Sequence, residues 1–118
     1  PALVRSLKLQ KRAARVGFDW PEISQVLDKI DEETKELIEA KKTEPQQRIN
    51  EEFGDLMFSI VNLGRHLKVD PEEALKQTNR KFITRFNFVE SSIRSQGKKI
   101  EDTSLEEMEA LWQQAKNS

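Results

Sequence analysis

The chain has 118 residues, a length that suits one domain with a modest core and leaves no room for a second. Twenty basic residues against 21 acidic ones leave a formal charge of −1, which excludes a global field drawing nucleic acid or an anionic membrane. Charged residues make up 35% and the mean hydropathy is −0.75, a polar balance that suits slender amphipathic helices with wet faces.

Cysteine is absent, which removes thiol nucleophiles, disulfides and zinc ribbons and makes a cytoplasmic home the default. No apolar run approaches the ~20 residues of a membrane span, and the N-terminus lacks the layout of a signal peptide. The chain opens Pro1-Ala2, so either an initiator methionine has been removed or the chain is a piece of a longer protein.

Five helices are expected in chain order. The first runs from Ala2 to Val16, partly apolar through Leu3, Val4 and Leu7, and stops at Gly17, the residue best suited to a left-handed cap. The second begins near Pro21 and lasts to Lys42, before Thr43-Glu44-Pro45 breaks the pattern. A third spans Pro45 to Leu67. Asp70-Pro71-Glu72-Glu73 then supplies a cap, a first-turn proline and acids for a fourth helix that reaches Ser95, before Gly97. Ser104 with Glu107 has the form of a capping box for a short last helix, Leu105 to Lys116. No segment alternates with the period of a strand. The fold class is therefore all-α: long helices with short connections predict an antiparallel bundle, its four-helix core completed by dimerisation, in a single domain over residues 1–118.

Two acidic clusters stand out. At ~100° per residue, Ile49, Phe53, Leu56, Ile60, Leu63 and Leu67 form one apolar stripe, and Glu52 falls roughly 40° from its centre. A lone buried carboxylate costs several kcal/mol or takes up a proton, so Glu52 requires compensation. The upstream helix repeats the arrangement: Ile23, Val26, Leu27, Ile30, Thr34, Leu37 and Ile38 mark its stripe, with Glu33 about 60° from the centre. Residues three apart share one helix surface, so Glu33 with Glu36, and Glu52 with Asp55, each make a two-carboxylate claw. If the helices pair, four carboxylates converge. Oxygen-only ligands suit Mg²⁺, or Mn²⁺ in its place, rather than zinc. The competing account, a solvated charged face, explains Glu32, Glu39, Glu44 and Glu51 but not Glu52.

Basic residues lie beside the acid. Lys29 precedes Glu33 by four residues and Arg48 precedes Glu52 by four, each one turn from a candidate ligand. On the fourth helix, Leu75, Thr78, Phe82, Phe86, Val89 and Ile93 make the stripe, and Lys81 and Arg85 lie on one flank, a spacing that suits a phosphate clamp. The bland alternative for Lys29 and Arg48 is solvent-facing intrahelical ion pairing, worth ~0.3–0.5 kcal/mol each.

At these residues the chain resembles the MazG family of nucleoside triphosphate pyrophosphohydrolases, within the wider all-α group of NTP pyrophosphatases. The pattern Glu-Glu-x-x-Glu, spacer, Glu-x-x-Asp is met by Glu32, Glu33, Glu36, Glu52 and Asp55, with 15 residues between the halves. The similarity extends to Arg15-Val16-Gly17-Phe18-Asp19-Trp20 and to Asn79-Arg80-Lys81-Phe82-Ile83-Thr84-Arg85-Phe86, which look like the C-terminal MazG domain. The resemblance implies Glu33, Glu36, Glu52 and Asp55 as metal ligands, and Lys29, Arg48, Lys81 and Arg85 as phosphate contacts. It places Trp112 near the base. It further implies hydrolysis between the α- and β-phosphates to a nucleoside monophosphate and pyrophosphate, in a dimer. The rival expectation is a helical nucleotide-binding or dimerisation module without turnover.

A metal-activated water needs no side-chain nucleophile, and no general base is assigned. A di-iron bundle is excluded, because its two Glu-x-x-His motifs cannot be drawn from the single His66, which is expected as a partly buried interface or capping group. Phe18 and Trp20, beside a turn, are expected to staple two helices rather than line a base pocket. The basic stretch from Arg5 to Arg15 lacks interleaved aromatics and reads as a solvated face rather than a nucleic-acid contact.

Overall fold

The computed structural model describes residues 1–118 as five α-helices and one 3-10 turn, with no strand. The helices are α1 (Ala2–Arg15), α2 (Ile23–Thr43), α3 (Gln46–His66), α4 (Pro71–Ser95) and α5 (Leu105–Lys116); the 3-10 turn, Ile100–Asp102, is the one element the periodicity did not announce. The all-α expectation holds, and each helix end falls within two residues of its predicted place.

The ends follow local chemistry. At the close of α1, Gly17 takes φ +89°, its N–H donates to the Ala14 carbonyl and the Phe18 N–H donates to Ala13, the paired bonds of a Schellman cap. Gly97 closes α4 in the same way, at φ +74°, with Gly97 and Lys98 donating to Arg94 and Ile93. The α3 terminus uses the same two bonds, from Lys68 to Arg65 and from Val69 to Gly64, but there the left-handed position is held by Lys68 at φ 60°. The second helix starts two residues later than expected because Glu22 stays extended and its N–H donates to Gln25 Oε1 at 3.2 Å. Asp70 Oδ1 caps α4 by accepting from the Glu72 and Glu73 N–H groups at 3.0 and 3.2 Å. Only half of the capping box at α5 forms: Ser104 Oγ accepts from the Glu107 N–H, while the Glu107 carboxylate takes Lys98 instead.

The chain divides into two compact units, Pro1–Ala74 and Leu75–Ser118. In the first, α2 and α3 pack against one another and α1 packs on α3. The residues this unit buries are mixed: Val26 and Ala40 of α2 and Val61 of α3 lie with Gln10, Glu33, Glu52 and Ser59. In the second unit Val89 and Ile93 are the buried residues, and Phe82 stacks on Phe86 at 5.7 Å and meets Trp112 at 5.4 Å between ring centroids.

The apolar stripe of α3 is only partly buried. Leu56 and Leu63 are half-buried beside buried Glu52 and Ser59, whereas Phe53, Ile60 and Leu67 are each about half exposed on the adjoining line, at 52%, 49% and 54%. An apolar arc wider than one neighbouring helix can cover has this outcome. The side of α3 turned to its neighbours thus carries a carboxylate where the stripe alone would put phenylalanine.

Candidate active site

The pairing of α2 with α3 brings three of the expected carboxylates together. One oxygen from each of Glu33, Glu36 and Glu52 lies within 4.8 Å of the others. Glu33 and Glu36 are one turn apart on α2, so helix geometry alone sets them on one surface, and the helix pair adds Glu52. The Glu33 and Glu52 side chains are only 6% and 4% exposed, while Glu36 sits at the open rim. Asp55, one turn beyond Glu52, is exposed and lies outside this trio.

Each buried carboxylate is half compensated. Lys29 Nζ donates to Glu33 Oε1 at 3.0 Å, and Arg48 Nη2 to Glu52 Oε1 at 2.8 Å. Lys29 also reaches Glu32, and Arg48 reaches Glu51, so each cation bridges one buried and one exposed acid. The pairing with Glu33, ahead of the opposing cost of burial, raises the Lys29 pKa, and the hydrogen bond to Glu51 followed by the charge of Glu52 does the same for Arg48. Solvent-facing ion pairing therefore describes Glu32 and Glu51 but not Glu33 and Glu52, whose carboxylates are out of water.

The other oxygens, Glu33 Oε2 and Glu52 Oε2, are buried with no hydrogen-bond partner. Two buried carboxylate oxygens without a donor, on two residues of one cluster, are a high-cost arrangement unless something positive lies near them. The Glu36 carboxyl feels the same pressure: loss of solvent, then the charge of Glu33, pushes its pKa up from the ordinary value. An all-oxygen donor set of this kind fits a hard divalent cation.

A family model for the MazG nucleotide pyrophosphohydrolase domain matches residues 22–89, taking in the whole of α2, α3 and the carboxylate trio. The chain belongs to the MazG family. Over 116 residues, 98% of the chain, it is 47% identical to the nucleoside triphosphate pyrophosphohydrolase/pyrophosphatase MazG of Thermotoga maritima, and over 118 residues it is 46% identical to the nucleoside triphosphate pyrophosphohydrolase of Escherichia coli. The chain spans less than half the length of these two relatives, 44% and 45%. It is also 44% identical over 73 residues to the uncharacterised protein YabN of Bacillus subtilis, of which it covers 15%.

The remaining expected residues of this MazG domain lie in the second unit. Arg85 holds its guanidinium over the Trp112 ring, 5.9 Å from the centroid, and Lys81 is exposed one turn earlier on α4. Trp112 is thus a half-buried partner of Phe82 and Arg85.

Periodicity missed a second polar cluster. Asp19 accepts from the Arg65 guanidinium through both carboxylate oxygens, and the His66 ring lies 3.1 Å from Asp19 Oδ1. Asn62 Oδ1 accepts from Arg65 Nε and Nη2 at 3.3 and 2.7 Å. The hydrogen bond from Arg65, against the pull of burial and with help from His66, holds the Asp19 carboxyl below the usual aspartate range. The cluster ties the turn after α1 to the end of α3. Its only local signal was Asp19 set between Phe18 and Trp20. His66, expected as a partly buried interface or capping group, is partly buried at 13% side-chain exposure, and its partner is Asp19.

Proposed function

We propose that this domain hydrolyses nucleoside triphosphates between the α- and β-phosphates, yielding a nucleoside monophosphate and pyrophosphate. The observation that carries the reading is the pair of buried, partnerless carboxylate oxygens of Glu33 and Glu52 beside Glu36. With family membership, it favours turnover over a nucleotide-binding module that lacks it.

Glu33, Glu36 and Glu52 would hold Mg²⁺, or Mn²⁺ in its place, and Asp55, one turn from Glu52 and outside the trio, would be the fourth ligand. Such a cation, when bound, screens the triphosphate and lowers the pKa of a water it holds. Lys29 and Arg48 neutralise one oxygen of each buried ligand, and we assign both to phosphate oxygens of the substrate. Of the second unit's residues we assign Lys81 and Arg85, a point charge and a planar fork, to the triphosphate and Trp112 to the base. In the reaction a water oxygen bonds to the α-phosphorus and the bond to the bridging oxygen breaks. Charge gathers on the departing pyrophosphate, where fixed cations stabilise it most. We further assign the chain to a homodimer acting on free cytoplasmic nucleotides, with removal of unwanted ones as its role.

The products decide the reading. ³¹P NMR of a reaction with magnesium and a nucleoside triphosphate should show monophosphate and pyrophosphate growing together. Diphosphate with orthophosphate would place the cut elsewhere and contradict it.

A further inference from the structure

The first unit contains a cleft of about 500 Å³ between α1, the turn that follows it, and α3. This lies within the size range of small-molecule sites, which are mostly apolar with a few placed polar groups. Phe18 and Trp20 line it from the turn and Phe58 from α3. The expectation that Phe18 and Trp20 staple two helices does not describe Phe18, which is 82% exposed and sits against solvent although its backbone is fixed by the Schellman cap. An aromatic ring presented to water on a rigid turn, with a second aromatic lining the same cleft, is a stacking platform without its stack.

The polar groups of the cleft are already oriented. Arginine only donates, so Asn62 must turn its oxygen to Arg65, which leaves the Asn62 NH₂ as the donor it can offer. Gln10 Nε2 donates to the Phe58 carbonyl at 2.9 Å, and Gln10 Oε1, in a residue only 6% exposed, has no donor. A donor and an unmet acceptor beside stacking rings match the edge and face of a heterocyclic base. The cleft is also joined to the carboxylate cluster through Lys29, which lines it and bonds Glu33 at 3.0 Å.

We propose that this cleft receives the nucleobase of the triphosphate, with Phe18 and Trp20 stacking on it and Asn62 and Gln10 addressing its edge; the proposal rests on the hydrolase reading above. The cleft supplies an enclosure able to discriminate among bases. The Asp19–Arg65 pair acts as a positioning element that holds the turn in place.

The test is calorimetric binding, in the presence of magnesium, of two probes: a non-hydrolysable α,β-methylene nucleoside triphosphate and inorganic tripolyphosphate, which has phosphates but no base. Phe18→Ala removes an exposed ring and should weaken the nucleotide on the order of 10-fold while leaving tripolyphosphate within about 2-fold. Unchanged nucleotide binding in Phe18→Ala, or an equal loss for both probes, would overturn the cleft assignment and leave the hydrolase reading standing. Wild-type protein that binds neither probe would instead overturn the hydrolase reading, and the cleft with it. Independently, in Trp112→Phe the remaining tryptophan is Trp20, whose fluorescence should change on saturation with the nucleotide probe and not with tripolyphosphate. A Trp20 signal indifferent to the nucleotide would also overturn the assignment.

Discussion

Glu52 occupies the side of α3 that meets its neighbours, 4% exposed, with one oxygen on Arg48 and the other on nothing. The arrangement was legible because it is local: 3.6 residues per turn fix Lys29 beside Glu33, Arg48 beside Glu52 and Glu33 beside Glu36 wherever the helices go. Asp55 shows the limit of that logic, since helical spacing puts it one turn from Glu52 but not within the trio. Contacts made by α1 and the turn after it were not legible. Arg65 lies 46 residues from Asp19, and Gln10 lies 48 from the Phe58 carbonyl it holds, so both pairs exist only once α1 has docked on α3.

The Asp19 pair makes a pH prediction. Its carboxyl pKa is lower in the folded chain than the ordinary 3.8, so the ionised pair stabilises the fold fully above that value and the gain is lost as pH falls through the lowered one. The difference in urea midpoint between wild type and Asp19→Asn should be constant near neutrality and shrink below about pH 4. A gap that persists unchanged into acid would show that the carboxylate charge contributes nothing.

Among the elements, the three Schellman-type termini differ in one residue. Gly17 and Gly97 adopt positive φ without a Cβ penalty, whereas Lys68 at φ 60° does not have that freedom. Lys68→Gly should therefore stabilise the chain, by up to about 1 kcal/mol, measured by chemical denaturation. A loss of stability would mean that the Lys68 side chain makes a contribution larger than its backbone strain. Caps explain why the helix ends were readable to within two residues: glycine, proline and Asp70 act on their own neighbours, with no help from the rest of the fold. The stripe of α3 was readable as apolar but not as divided, because its pattern does not say how wide a neighbour will cover it.

At the scale of the whole molecule, that division points outward. Phe53, Ile60 and Leu67, seven residues apart, keep about half of their surface in water, together with Met57 on α3 and Leu27 and Ile38 on α2. A bundle completed by a second copy would cover them, as the proposed homodimer requires. Sedimentation velocity should then give a dimer for wild type and a monomer for Ile60→Glu, which sets a charge in the middle of the line. A wild-type monomer at micromolar concentration would contradict that assembly.

The carboxylate cluster as a cation site for pyrophosphohydrolysis is most directly tested by pyrophosphate release from nucleoside triphosphates, with and without magnesium, in wild type and Glu52→Gln. The account predicts release that requires the metal and falls on the order of 100-fold or more in the variant, whose helical circular dichroism is retained. Undiminished release by a folded Glu52→Gln protein, or release indifferent to magnesium, would contradict it.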